Sequence, residues 1–198
     1  MGKFVWGLII GFIAVPVLGA LYLLSGQAPA AVTDKSFPFE QYIAGAALES
    51  RIHRQAPKRE LSSFGAADIQ AGAQTYRRAC GGCHGLPGQM EAFPEPKMFP
   101  PPPKLFTPDG YVTDDPVGVT YWKIKNGIRM SGMPSFDGLL KDDQMWQVAA
   151  LLASADKLPP DVVDILKQPL FPPPPPPATG TSSAAPSGAP TGQSTSKH

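Results

Sequence analysis

Cys80-Gly81-Gly82-Cys83-His84 constrains this chain more than any other stretch of it. These are its only two cysteines, three positions apart, with a histidine directly after them. The spacing is that of a c-type haem attachment site. Thiols so placed at a helix end match the separation of the two haem vinyl groups, to which they add as thioethers. The adjacent imidazole then lies under the iron as proximal ligand. Gly81 and Gly82 put no side-chain bulk where the backbone passes the porphyrin edge.

Two other chemistries use the same residue types. A redox-active C-x-x-C pair is expected within a βαβ pattern, which is not visible here. A structural zinc ion needs about four ligands. Cys80, Cys83 and His84 supply three, and only His53 or His198 is left to complete the set. Export argues for haem as well, because haem c is attached outside the cytoplasm and loose thiols there would be oxidised.

The evidence for export is at the N-terminus. Residues 4–24 run for 21 positions without a charge. As a helix they would cover roughly 31 Å, enough for a hydrocarbon core. Pro16 can kink such a helix without forbidding it. Trp6 and Tyr22 stand near the two ends, where interfacial aromatics belong, and Lys3 ahead of the run places the N-terminus in the cytoplasm. The competing reading is a cleaved signal peptide, with Ala28-Pro29-Ala30 as small residues of the right type. The run is longer than a usual signal h-region, which favours a retained anchor.

Four segments are expected. Residues 1–24 are the anchor. Residues 25–64 are a linker with a membrane-proximal helix over 40–55, closed by Pro57. Residues 65–170 are a folded, all-α domain. Residues 171–198 are a tail that opens on six consecutive prolines, Pro172 to Pro177, and continues with little apolar bulk. Such a tail cannot offset its ordering entropy and is expected to be disordered. The chain carries 20 glycines and 25 prolines, consistent with much of it lying outside a packed core. A net charge of +1 leaves no basic field for nucleic acid.

Within the domain, Asp68 can cap a helix carrying Ile69, Ala73, Tyr76 and Ala79. Prolines exclude long regular structure from residues 85–109. Asp115-Pro116 opens a second helix with Val119, Tyr121, Trp122, Ile124 and Lys125, stopped at Asn126-Gly127. Asp142 or Asp143 opens a third, with Met145, Trp146, Val148, Ala149, Leu151 and Leu152. A short helix is expected over 161–167. Between the second and third helices lies Gly132-Met133-Pro134. Met133 is the candidate sixth iron ligand and Met130 its neighbouring rival, since a thioether favours ferrous iron.

These features together resemble the class I cytochromes c, monohaem electron carriers with His and Met axial ligands. The resemblance covers residues 65–158, and the anchor and tail make the whole similar to membrane-bound bacterial members. It implies one covalent haem c, held through Cys80 and Cys83, with His84 proximal and Met133 distal. It implies that Gly72 and Tyr76 of the first helix pack against the last, near Trp146, Val148, Leu151 and Leu152. It implies a Pro-x-Leu element whose proline carbonyl accepts a bond from the ligand imidazole. Pro103-Lys104-Leu105 fits best, with Pro100 to Pro102 as rivals. Trp122, Tyr121 and Ile124 are expected at the haem wall or in the core.

The function expected is outer-sphere electron transfer on the outer face of a bacterial cytoplasmic membrane. The bilayer holds the N-terminal helix, and the haem domain faces the periplasm as a tethered carrier between membrane redox complexes. The alternative is a fixed cytochrome subunit of an oxidoreductase complex. Catalysis by this chain would require Met133 to leave the iron, and no general acid/base pair supports it. Lys104, Lys123, Lys125 and Arg129 could form a positive rim for docking, although Asp109, Asp114, Asp115 and Asp137 are close by.

Overall fold

The computed structural model of the protein describes residues 2–88 and 97–168. The proline-rich tail expected over 171–198, and His198 with it, lies outside the described residues. Among the described residues the fold is all-α, without a strand. The helices are α1 (Gly2–Leu24), α2 (Glu40–Gln55), α3 (Ala66–Ala79), α4 (Gly81–His84), α5 (Val117–Asn126), α6 (Asp142–Ala153) and α7 (Pro160–Lys167).

Helix α1 carries Lys3 in its first turn, is uncharged from Phe4 to its end, contains Pro16 and buries no residue. It is long and apolar enough to cross a membrane, and it is compatible with an anchor.

The core forms where α3 crosses α6, with α5 packed on α6 and α7 on α3. Ala73, Tyr76, Val148 and Leu151 are fully buried at or near the crossing. The helices approach closely because α3 presents Gly72, which faces the Gln147 backbone and the Leu151 side chain of α6. Gln147 was not among the expected partners. A backbone contact carries no side-chain signal in the sequence.

Local chemistry sets the helix limits. Asp68 is three positions inside α3 rather than ahead of it. Its carboxylate accepts the Gly65 backbone N–H at 3.0 Å and the Gln147 side-chain amide at 3.1 Å. It therefore caps α3 and ties it to α6 at once. Helix α5 ends at Gly127, whose φ of 67° is left-handed. Pro160 occupies the first turn of α7, where its missing N–H costs nothing.

The C-terminal end of α2 is docked on the domain. Ile52 is buried, the Trp122 indole N–H donates to Gln55 at 3.3 Å, and Gly118 of α5 lies against the Pro57 carbonyl. The N-terminal half of α2 is different, with Tyr42 and Ile43 exposed, as is Phe39 just ahead of it.

Candidate haem site

The site begins where α3 ends. Cys80 follows the last residue of α3, and the single turn α4 carries Cys83 and His84. Backbone bonds from Cys83 and His84 to the Cys80 carbonyl, at 3.1 and 3.0 Å, fix that turn. Behind it stands Tyr76. Its buried hydroxyl donates to the Gly85 carbonyl at 3.1 Å, and its ring meets Phe106 edge-on at 5.0 Å. Burial holds the Tyr76 phenol protonated, far above its ordinary range.

Both thiols are free, Cys83 exposed and Cys80 half-buried. Burial, with Cys83 adding to it, pushes the Cys80 thiol up to about 12. That burial favours the neutral thiol. Among the described residues no cluster of His, Cys, Asp and Glu could hold a metal ion on its own. His53, the nearer candidate for a fourth zinc ligand, is exposed on α2.

His84 is oriented by one contact that decides its chemistry. Its Nδ1 lies 2.8 Å from the Pro103 carbonyl oxygen. A carbonyl can only accept, so Nδ1 carries the proton and donates it. In the neutral ring, Nε2 then keeps its lone pair. Burial lowers the His84 pKa, partly opposed by the Pro103 bond, and Lys104 nearby lowers it further. All of this describes a neutral imidazole with Nε2 available as a metal ligand. Of the four rival prolines, Pro103 is the one in contact. Leu105 is buried in the core two residues later.

Met133 lies on the loop between α5 and α6, half-buried against the core. The loop is tightly bonded. The Ile128 N–H donates to the Met133 carbonyl at 3.2 Å, and the Ser131 hydroxyl accepts the Met133 N–H at 3.2 Å. The Ser135 hydroxyl donates to the Lys125 carbonyl at 2.6 Å, and the Phe136 N–H to the Ile124 carbonyl at 3.1 Å. The Gly127 position faces the Pro134 backbone at close range, which folds the loop back on the end of α5. Met130 differs from Met133 in backbone and exposure. Its φ is 59° and its side chain is 92% exposed.

A family model described as cytochrome C oxidase, cbb3-type, subunit III, matches residues 67–152, which span α3 to α6. This region is a cytochrome c domain. No curated protein matches the chain, and no solved structure does. A cytochrome c domain binds haem and transfers electrons. The residues present fit that group, with two free thiols, an imidazole whose Nε2 is unprotonated and a half-buried thioether.

Of the residues expected at the haem wall or in the core, Tyr121 and Ile124 are buried in the core cluster. Trp122 shares a face of α5 with Gly118, one turn earlier, and that face meets α2 and Pro57. Tyr121 stacks on Trp146, with ring centroids 3.9 Å apart, and its hydroxyl bonds to Asp142. Lys125 is 3.3 Å from Asp142 and Lys123 is 3.5 Å from Asp115. Two of the four cations expected in a positive rim therefore have carboxylate neighbours, which weakens the field a partner would meet.

Proposed function

We propose that this cytochrome c domain carries one covalently attached haem c and passes electrons from a membrane-tethered position. The observation that carries the reading is the His84–Pro103 contact beside two free thiols. It holds the imidazole in the one tautomer that can ligate iron through Nε2. Bound haem supplies a reversible one-electron couple. The chain's residues do the rest. Cys80 and Cys83 hold the group by thioether bonds. The Pro103 carbonyl fixes the ring of His84 and raises its basicity. Met133 offers a neutral sulfur, which favours the ferrous state. Leu86, Leu105 and the α3–α6 core exclude water around the attachment turn.

Helix α1 is the anchor in this reading, with the domain on the outer, periplasmic face of a bacterial cytoplasmic membrane. A tether raises the domain's effective concentration at membrane redox complexes, its donor and acceptor. With a net charge of +1, nucleic acid is not a partner. A second reading, a fixed cytochrome subunit of an oxidoreductase complex, is favoured by the oxidase-subunit description of the matching family model.

Native electrophoresis of detergent-solubilised membranes, followed by a denaturing dimension stained for covalent haem, separates the two. A stained band at the mass of this chain that migrates alone supports the tethered carrier. Co-migration with larger subunits supports the fixed subunit. Absence of haem stain overturns the covalent site.

A further inference from the structure

The loop that bears Met133 is held from outside by a second methionine. A Cβ added at Gly132 would stand 2.1 Å from the Met98 sulfur and 3.0 Å from its terminal methyl carbon. The Met98 thioether is thus seated in the space that the missing Gly132 side chain leaves. Met98 is half-buried and stands five residues ahead of Pro103. One short segment therefore supplies both the carbonyl that orients His84 and the side chain that packs on Gly132, the residue before Met133. The bonds of the loop tip among the described residues, Ser131 to Ile128 and Ser131 to Met133, are internal to it. They shape the tip without fixing it to the segment that orients His84.

We propose that Met98 is a positioning residue for Met133. Its side chain, packed on Gly132, holds the loop in the conformation that presents the Met133 sulfur. It couples that loop to the Pro103 segment, so the two axial side chains are set by one stretch of chain. A flexible thioether suits a shallow, irregular seat, and the contact is dispersion rather than ligation. The inference rests on Met133 being the distal ligand.

The test uses the purified ferric haem protein in detergent, with imidazole as the probe. Imidazole binds only when Met133 leaves the iron, so its apparent affinity reports how firmly the loop is held. Met98→Ala is expected to retain the sulfur-to-iron charge-transfer band and to bind imidazole about tenfold more tightly, the order of effect for losing a half-buried methionine's packing. Met98→Leu, of similar volume, should stay within about twofold of wild type. Gly132→Ala, which pushes a methyl group into the Met98 seat and displaces the thioether from it, should also tighten imidazole binding. It serves as the independent variant should Met98→Ala not fold. Unchanged affinity in Met98→Ala or, if that variant does not fold, in Gly132→Ala, would overturn the proposal. So would equal tightening in Met98→Leu, which would assign the effect to the sulfur. A wild-type protein lacking the charge-transfer band would instead overturn the Met133 reading beneath it.

Discussion

Gly72 of α3 lies directly on the backbone of Gln147 in α6, so that an added Cβ would stand 2.3 Å from its carbonyl oxygen. The obstacle is backbone and cannot swing aside. Gly72→Ala must part the two helices that form the core of the domain. Overpacking of this kind costs about 2–3 kcal/mol. Thermal unfolding should show a lowered Tm, and Gly72→Val should fare worse.

Tyr76 couples that core to the attachment turn through its bond to the Gly85 carbonyl. Tyr76→Phe keeps the ring and its contact with Phe106 but leaves a buried carbonyl without this donor. A loss of about 1–2 kcal/mol is expected in denaturant unfolding. Haem content should persist, because no haem ligand changes.

Met133 and Met130 should separate cleanly despite being three residues apart. Met133→Ala is expected to abolish the sulfur-to-iron charge-transfer band and lower the midpoint potential, since a neutral thioether favours ferrous iron. Met130→Ala, at a side chain 92% exposed, should leave both unchanged. Visible spectra and a redox titration of the two variants check this.

Asp68 should give the domain part of its acid sensitivity. The Gly65 N–H first, and the Gln147 amide next, hold its carboxyl below the ordinary value of 3.8. A carboxyl lowered in the folded state adds stability that is present above its unfolded pKa. That stability is lost as pH falls through the folded value. At neutral pH Asp68→Asn should cost about 0.5 kcal/mol, kept small by solvent screening. The Tm difference from wild type should shrink below about pH 4.

Much of the fold was legible because punctuation residues mark its helices. Pro57 follows α2, and the expected limits at 40–55 agree with the structure; the helix expected to open at Asp115-Pro116 begins at Val117, with Pro116 just ahead of it and Gly127 after its end. The C-x-x-C-H run carries the haem expectation, and the structure adds the proline carbonyl that reaches His84. The packing of Gly72 against Leu151 followed from the resemblance, whereas what the faces of α5 meet was not legible. Trp122 reads equally well as haem wall or as core, and only the fold turns it toward Gln55 of α2. The same holds for Lys125, whose partner Asp142 is 17 residues away, and for Met98, whose seat is a glycine without a side chain to signal it.

The central claim is a covalent haem c on Cys80 and Cys83. The most direct test is an acidified-acetone extraction of the purified protein, followed by a pyridine haemochrome spectrum of the protein fraction. The account predicts a c-type spectrum at one haem per chain that resists extraction, and its loss in the double variant Cys80→Ala, Cys83→Ala. Haem that moves entirely into the acetone, or a wild-type protein with no haemochrome at all, would contradict it.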